Sequence, residues 1–293
     1  MVNNIISVEV TLPKAVSPKS ASSEVSSPKV SRRNWHKTWL GALLSDRWFL
    51  FLLALAVLNI FWAVTGTAPH VVPLIWNWLP SLVIGMLTNI EISVLVMLSG
   101  TILGIVIGAL SLAPSRALRR VIGYYVQVFR NVPMLVLIYF TTYVFPFELH
   151  IWHWYFSFPD WIKVVIGLGL PASTIIAEIF RGAIQSIPSA QWEAAQSLAF
   201  KRNQIFRYVI LPQCVRRMLP PWMNVYASIT MSTSLASLVG VHDVVDMATI
   251  ASNTVAQIDF TVLIYLTLLL FFFYYCYPIS RVTRLLEKHY ERF

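Results

Sequence analysis

The sequence predicts an all-α membrane protein with about six transmembrane helices and both termini on the cytoplasmic side. Three observations carry this. Of 293 residues, 57% are hydrophobic and only 12% are charged, about half the charged share of an ordinary soluble domain. The mean hydropathy is +0.66, and the apolar residues gather into runs that reach the roughly 20 residues a helix needs to cross a bilayer. Lys and Arg then concentrate in alternate connections, as the positive-inside rule requires. A β-barrel would instead show short segments of alternating polarity.

The elements follow in order. Residues 1–40 are rich in Ser, Pro and Lys with no sustained apolar face, and they predict a disordered, basic cytoplasmic tail. The first apolar run begins only at Trp48, too late for a cleaved signal peptide, so 41–80 predict a retained first span with its outer loop. Spans are expected at 48–65, 88–112, within 121–147, at 161–187, 219–239 and 260–279. A main transmembrane unit covers 81–285, including a loop at 188–217, and 286–293 form a short cytoplasmic tail. Arg32, Arg33, Lys37 and Arg47 precede the first span, and Arg116, Arg119 and Arg120 follow the second. Lys201, Arg202, Arg207, Arg216 and Arg217 lie between the fourth and fifth, and Arg281, Arg284, Lys288 and Arg292 follow the sixth. The connections 66–87, 148–160 and 240–259 hold no Lys or Arg. The formal charge of +9 is therefore a topology signal facing lipid and cytoplasm, not a nucleic-acid footprint. Cys214 and Cys276 both fall near the cytoplasmic face, where a structural disulfide is not expected.

Span two carries Gly100, Gly104 and Gly108, spaced so that another helix backbone can approach one face closely. Ordinary packing inside the subunit and a seam between subunits both fit. Glu91, Arg130, Glu178 and Arg181 are charges at membrane depth, where charge is costly and turns toward protein or a wet cavity. Glu178 and Arg181 share a helix face and can neutralise each other. They line a solute path or its cytoplasmic gate, or they form a structural pair. Arg130 precedes Pro133, which frees a carbonyl one turn upstream that Arg130 could cap; the other role is solute contact. Glu91 is expected in the outer part of span two, reaching toward the interface. Span five has no charge, but Thr230, Thr233, Ser234 and Ser237 recur at helical spacing as one stripe. Such hydroxyls line a polar pathway or bond back to their own helix.

The loop at 186–217 is polar and basic between two oily runs. Its segment 190–200 is a strong helix former, with Ser186 or Ser189 as cap. A second helix over 202–211 is expected to break at Pro212. The device suits docking to a soluble partner; a passive amphipathic linker also fits. No glycine is followed by lysine, so the chain has no phosphate-binding loop of that kind. Neither HExxH nor GxSxG occurs, so no constellation supports an enzyme. No internal repeat is visible, so one chain makes half of a pathway rather than a whole one.

Glu193-Ala194-Ala195, then Ala199, then Val209-Ile210-Leu211-Pro212 resemble the EAA loop of binding-protein-dependent ABC importer permeases. Ala177-Glu178-Ile179-Phe180-Arg181-Gly182, Phe129-Arg130-Asn131-Val132-Pro133 and Thr233-Ser234-Leu235-Ala236-Ser237 are similar to its polar amino-acid uptake subfamily. The resemblance runs from about Leu82 to the C-terminus. It implies the type I importer permease fold in a bacterial inner membrane. It also implies a second permease, identical or different, a periplasmic solute-binding protein, and two ATP-binding subunits that use ATP and Mg. No cofactor is expected on this chain. Glu193, Ala194, Ala195, Ala199, Lys201 and Arg202 would couple to the ATPase. Thr230, Thr233, Ser234, Ser237, Glu178, Arg181, Arg130 and Glu91 would face the solute path. Two departures stand out. Ala199 replaces the loop glycine, which predicts a shifted turn. Met231-Ser232 replace a Lys followed by Asp or Asn, which removes a charge near the solute. The competing classes are a secondary transporter or channel that uses the intramembrane charges as an ion relay, and a membrane scaffold with no solute path.

Overall fold

A computed structural model describes residue 56, residues 71–151 and residues 154–290. The tail at 1–40, nearly all of the expected first span, and residues 291–293 lie outside the described residues.

The first described helix, α1, runs Val71–Ser111, 41 residues, or about 60 Å at 1.5 Å per residue. It begins far before the expected 88, so most of the predicted outer loop at 66–87 is helix. Pro73 falls in its first turn, where a missing N–H costs little, and Pro80 lies inside it on an exposed position. Tertiary packing supports the extension: Leu82 and Met86 join Val244, Phe260 and Ile264 in one buried cluster. Glu91 consequently falls at mid-helix and is exposed, not near an outer end.

The third expected span is not one helix. It divides into α2, Arg116–Asn131, and α3, Met134–Val144, which meet at 103°. Pro133 is the cause: the residue before proline is driven to extended backbone, and Val132 sits at φ −79 and ψ 132. Ser115 caps α2 by accepting from the Leu118 N–H at 3.4 Å. Eleven residues give α3 about 16 Å, short of the roughly 20 residues that cross a bilayer alone.

A two-stranded antiparallel hairpin follows, β1 Glu148–Ile151 and β2 Trp154–Ser157, with Glu148 opposite Ser157 and Ile151 opposite Trp154. It is the one departure from an all-helical fold among the described residues. Helix α4, Asp160–Gln185, matches the fourth expected span. Helix α5, Ser189–Ser197, a short turn at Arg202–Gln204 and a π-helical stretch Ile205–Ile210 lead into α6, Leu211–Ser232. The expected break at Pro212 does not occur. The Leu211 N–H bonds to the Phe206 carbonyl, five residues back. This widened ladder feeds a proline at the start of α6, where its missing N–H costs little.

Beyond α6 the backbone tightens to a 3₁₀ helix, Thr233–Val239, and turns at Gly240 (φ 87) before α7, Val244–Val255. The two arms, Arg202–Val239 and Val244–Val255, are bent by 48°. Helix α8, Ile258–Tyr290, closes the described chain. Three described helices are long and apolar enough to cross a membrane, or up to five if each bent pair is one span.

The glycines of span two form a seam within the subunit. A Cβ on Gly104 would lie 2.7 Å from the Ser173 carbonyl oxygen and 2.8 Å from Ile176 Cβ. One on Gly108 would meet Phe180 at 2.8 Å, and one on Gly100 would meet Ala172 at 3.1 Å. Helices α1 and α4 thus pack backbone to backbone around Ile92, Val96, Leu168, Ala172 and Ile176. Gly85 lies as close to the break between the 3₁₀ helix and α7, 2.7 Å from Val244 Cα. Cys214 and Cys276 are buried and free.

Candidate functional site

The loop between α4 and α6 is a folded unit. Its first helix is α5, which has no side-chain cap: Pro188 occupies the N-cap position. Ser189 starts the helix instead, and Ser186 Oγ donates to the Ala183 carbonyl at 2.8 Å. The expected serine cap is therefore absent, because proline supplies a fixed φ at the entry and needs no N–H. The turn comes at Ala199, at φ 59. The Ala199 N–H bonds to the Gln196 carbonyl at 2.8 Å and the Phe200 N–H to the Ala195 carbonyl at 3.2 Å. This satisfies the last carbonyls of α5 in the usual left-handed termination. The alanine does not shift the turn; it occupies it under strain. Ala199→Gly is expected to stabilise the purified protein by about 1 kcal/mol, the penalty that a Cβ incurs in left-handed backbone. A rise in the midpoint of thermal unfolding in detergent checks it.

Two faces of the loop separate cleanly. Ala195 is buried, packed with Phe180, Ala183, Ile187, Ile205, Ile210 and Met218. It departs from the expected contact surface: it joins the loop to the end of α4 and the start of α6. Glu193, Ala194, Ala199, Lys201 and Arg202 are exposed. With them stand Leu198 at 71% exposure and Phe200 at 41%, two apolar residues whose place beside the turn was the signal to find them. The Lys201 N–H donates to Gln204 Oε1 at 2.8 Å, which orders the start of the second segment. Arg217 Nη1 donates to the Ser186 carbonyl at 2.8 Å and to Ser186 Oγ at 2.9 Å. These bonds tie the start of α6 to the end of α4.

The charges at depth pair differently from expectation. Arg130 Nη1 donates to both oxygens of Glu178 at 2.8 Å. Glu178 is thus matched across helices by Arg130, not along its own helix by Arg181, and Arg130 does not cap a freed carbonyl. The cause is the sharp turn at Pro133, which brings the end of α2 against α4; Tyr125 and Ser173 also meet there at 2.9 Å. Arg181 has no ion pair among the described residues. Arg130, Glu178 and Arg181 line a cavity of about 420 Å³ with Arg119, Gln127 and Asn131.

The hydroxyls of span five spend their protons locally. Thr230 donates to the Tyr226 carbonyl at 2.9 Å, Thr233 to Thr230 at 2.7 Å, Ser234 to Met231 at 2.8 Å and Ser237 to Ser234 at 3.0 Å. Thr230 and Thr233 are fully buried, and the 3₁₀ geometry from Thr233 onward breaks the single α-helical stripe.

Two buried polar clusters escaped the sequence reading. Asn89 Nδ2 donates to Thr233 Oγ1 and to Asp243 Oδ2, each at 3.1 Å. Its Oδ1 accepts from the Val244 N–H at 3.0 Å. Asp243 Oδ1 in turn accepts from the Asp246 N–H at 2.8 Å, capping α7. All three side chains are at 0% exposure. A buried network satisfied this fully specifies one arrangement, here the middle of α1 against the break in the fifth span. The signal was an asparagine beside Thr88, Glu91 and Ser93 in the middle of a mainly apolar helix. Lys163 is also fully buried. Its Nζ meets Asp160 Oδ1 at 3.0 Å and the Thr142 carbonyl at 3.4 Å, and lies 3.6 Å from the Phe147 ring centroid. The i,i+3 spacing from Asp160 made that pair readable. Among the described residues no group of three His, Cys, Asp or Glu side chains could hold a metal ion.

Residues 100–292 match the family described as binding-protein-dependent transport system inner membrane component. The chain is 30% identical over 214 residues to a probable amino-acid ABC transporter permease protein, YckA, of Bacillus subtilis (strain 168), covering 73% of this chain and 91% of that protein. It is 28% identical to the L-cystine transport system permease TcyB of the same organism, over 71% of this chain and 86% of that protein. It is 32% identical to the octopine transport system permease OccM of Rhizobium meliloti, over 59% and 72%. Among solved structures, an amino acid ABC transporter with histidines superposes with a TM-score of 0.61 at 22% identity, over 73% of this chain and 96% of that one. The MetNI methionine ABC transporter in an inward-facing conformation gives 0.54 at 15%, over 73% and 98%. These two likenesses concern the fold.

Proposed function

This chain belongs to the family of binding-protein-dependent transport system inner membrane components, and from that premise we propose that it carries an amino acid or similar small zwitterion into the cytoplasm. The chain is a permease subunit of an ABC importer; it is not itself an enzyme, and the ATPase is a separate subunit. The relatives supply the substrate class: their names give an amino acid, L-cystine, glutamine and octopine.

One observation carries the coupling role. Glu193 and Ala194 are exposed on a short helix whose opposite residue, Ala195, is buried against α4, the π-helical stretch and α6. Such an element accepts load on one face and delivers it on the other. Two ATP-binding subunits hydrolyse ATP with Mg, and each docks one such loop from a pair of permeases, identical or different. A solute-binding protein delivers cargo at the outer face of a bacterial inner membrane, with both termini of this chain in the cytoplasm. Closure of the ATPase pair draws the loops together. Through Ala195 and the bonds from Arg217 to Ser186, that motion moves α4 and α6 and opens the path outward. Glu91, Arg130, Glu178, Arg181, Ser234 and Ser237 border the path, while Thr230 and Thr233, fully buried, stand in the packed wall behind it and Asn89 holds the central break.

The test is uptake of labelled amino acids by proteoliposomes that hold the complete complex, with binding protein outside and ATP or a non-hydrolysable analogue inside. Accumulation only with hydrolysable ATP is expected. Accumulation that follows an ion gradient without ATP would transfer the chain to the ion-relay class.

A further inference from the structure

We propose that the cavity between α2 and α4 is an oxyanion site, recognising the phosphate of an acidic lipid headgroup or the free carboxylate or phosphate of a cytoplasmic solute. Its volume is about 420 Å³, within the range that holds a small ligand. Arg119, Arg130 and Arg181 line it against a single carboxylate, Glu178, which leaves two positive charges in excess. Glu178 engages only Nη1 of Arg130. It fixes that guanidinium in place and leaves Nη2 and Nε without partners among the described residues. Arg119 and Arg181 have no ion pair there either. Guanidinium groups held in a fork are suited to bidentate recognition of carboxylate and phosphate. Gln127 and Asn131 add neutral donors at the wall, and Ile107, Ile122, Val126 and Ala177 supply an apolar lining.

Two further features point to a ligand. A Cβ placed on Gly123 would meet nothing within 4 Å, so the cavity stays open at its α2 wall. At 100° per residue, Arg119, Gly123, Gln127 and Arg130 share one face of α2, while Val121, Tyr124 and Val128 share another. Those three are exposed at 63%, 66% and 53%. A helix divided this way lies in the membrane interface, with its apolar stripe toward acyl chains and its arginines at headgroup level. Basic pockets between helices on the cytoplasmic side are where acidic headgroups bind. Arg181 lies near the end of α4 that leads into the basic loop, on that same side.

The experiment uses the complete complex in nanodiscs and reads binding without uptake, so its outcome is independent of the importer reading. In one arm the bilayer is phosphatidylcholine with or without phosphatidylglycerol, and lipid retained after delipidation is counted by native mass spectrometry. In the other arm the bilayer is phosphatidylcholine alone, and inorganic phosphate or glutamate is titrated against thermal stability. Arg119→Ala with Arg181→Ala removes two guanidinium groups that hold no partner in the chain, so stability without ligand is expected to be unchanged. Gly123→Phe fills the cavity while keeping every charge, and serves if the double variant fails to fold. Arg284→Ala is the control, a basic residue outside the cavity. Preferential retention of phosphatidylglycerol, weakened roughly tenfold or more by either cavity variant and not by the control, supports the site with a lipid source. The same pattern with phosphate or glutamate supports it with a soluble source. Equal response in wild type and both cavity variants, or none to any of the three probes, overturns it.

Discussion

Glu193→Lys is expected to abolish ATP-driven uptake while the chain still inserts in the membrane and remains monodisperse. Glu193 is exposed on α5, and no described side chain bonds to its carboxylate, so its replacement breaks no contact inside the subunit. The effect arises where the loop meets its partner. A groove that accepts a carboxylate there meets an ammonium instead, in a loop that already carries exposed Lys201 and Arg202. A like-charge clash at a desolvated interface costs several kcal/mol, enough to lower uptake by about a hundredfold or more. Glu193→Gln should lose far less, because it keeps shape and hydrogen bonding and adds no opposing charge. Three measurements decide it: uptake, ATPase stimulation by loaded binding protein, and pull-down of the ATPase from detergent. Uptake retained by Glu193→Lys in a complex that still couples would remove the loop from the mechanism.

Gly104→Ala should prevent accumulation of folded protein. The new methyl would lie 2.7 Å from the Ser173 carbonyl oxygen and 2.8 Å from Ile176 Cβ. The oxygen belongs to backbone, so no side-chain rotation relieves the contact, and α1 must lift from α4 along the seam. Overpacking of a filled core typically costs about 1–3 kcal/mol, and contact with helix backbone places this site at the top of that range. Gly182→Ala is the matched comparison. It lies on α4, the helix across this seam, and its Cβ would meet nothing within 4 Å, so it should be neutral or slightly favourable. Size-exclusion profiles of fluorescent fusions of the two variants, side by side, give the answer. Equal, normal profiles would mean that the seam is looser than the geometry states.

Much of the loop between α4 and α6 was legible because its chemistry is local. The helix over 190–200 follows from Ala, Gln and Glu; its turn lies where the motif's glycine would be, although the residue is Ala199. What could not be read was how that alanine is tolerated. The cost of its left-handed backbone is offset by the bonds from Phe200 to Ala195 and from Ala199 to Gln196, which depend on the loop being packed. Pro212 misled for a related reason. Proline ends an isolated helix, but the π-helical stretch before it absorbs the missing donor, and propensity does not report a ladder that widens by one residue. Pro133 was noted for the carbonyl it frees; its larger effect is to turn α2 away from α3.

Pairing of buried polar groups was the least legible part. Glu178 and Arg181 looked self-sufficient because helical spacing makes neighbours at i+3 visible. Arg130 takes Glu178 from another helix, and no periodicity encodes that choice. Asn89 sits among Thr88, Glu91 and Ser93 in a mainly apolar helix; nothing nearby in sequence announces Thr233, Asp243 or the Val244 N–H as its partners.

The amino-acid sequence alone determined the solvent of this protein, the order of its oily and basic segments, and the place of the loop proposed to couple to the ATPase. Hydropathy, charge alternation and residue spacing are properties of neighbours along the chain. The tertiary structure alone decided which helices touch, where spans break, and which charge neutralises which. Those outcomes depend on how closely two backbones approach. Gly85 and Gly104 permit an approach that residues with a Cβ would forbid. Only after that contact forms do Asn89 and Asp243 come within hydrogen-bonding distance. The turn at Pro133 does the same for Arg130 and Glu178.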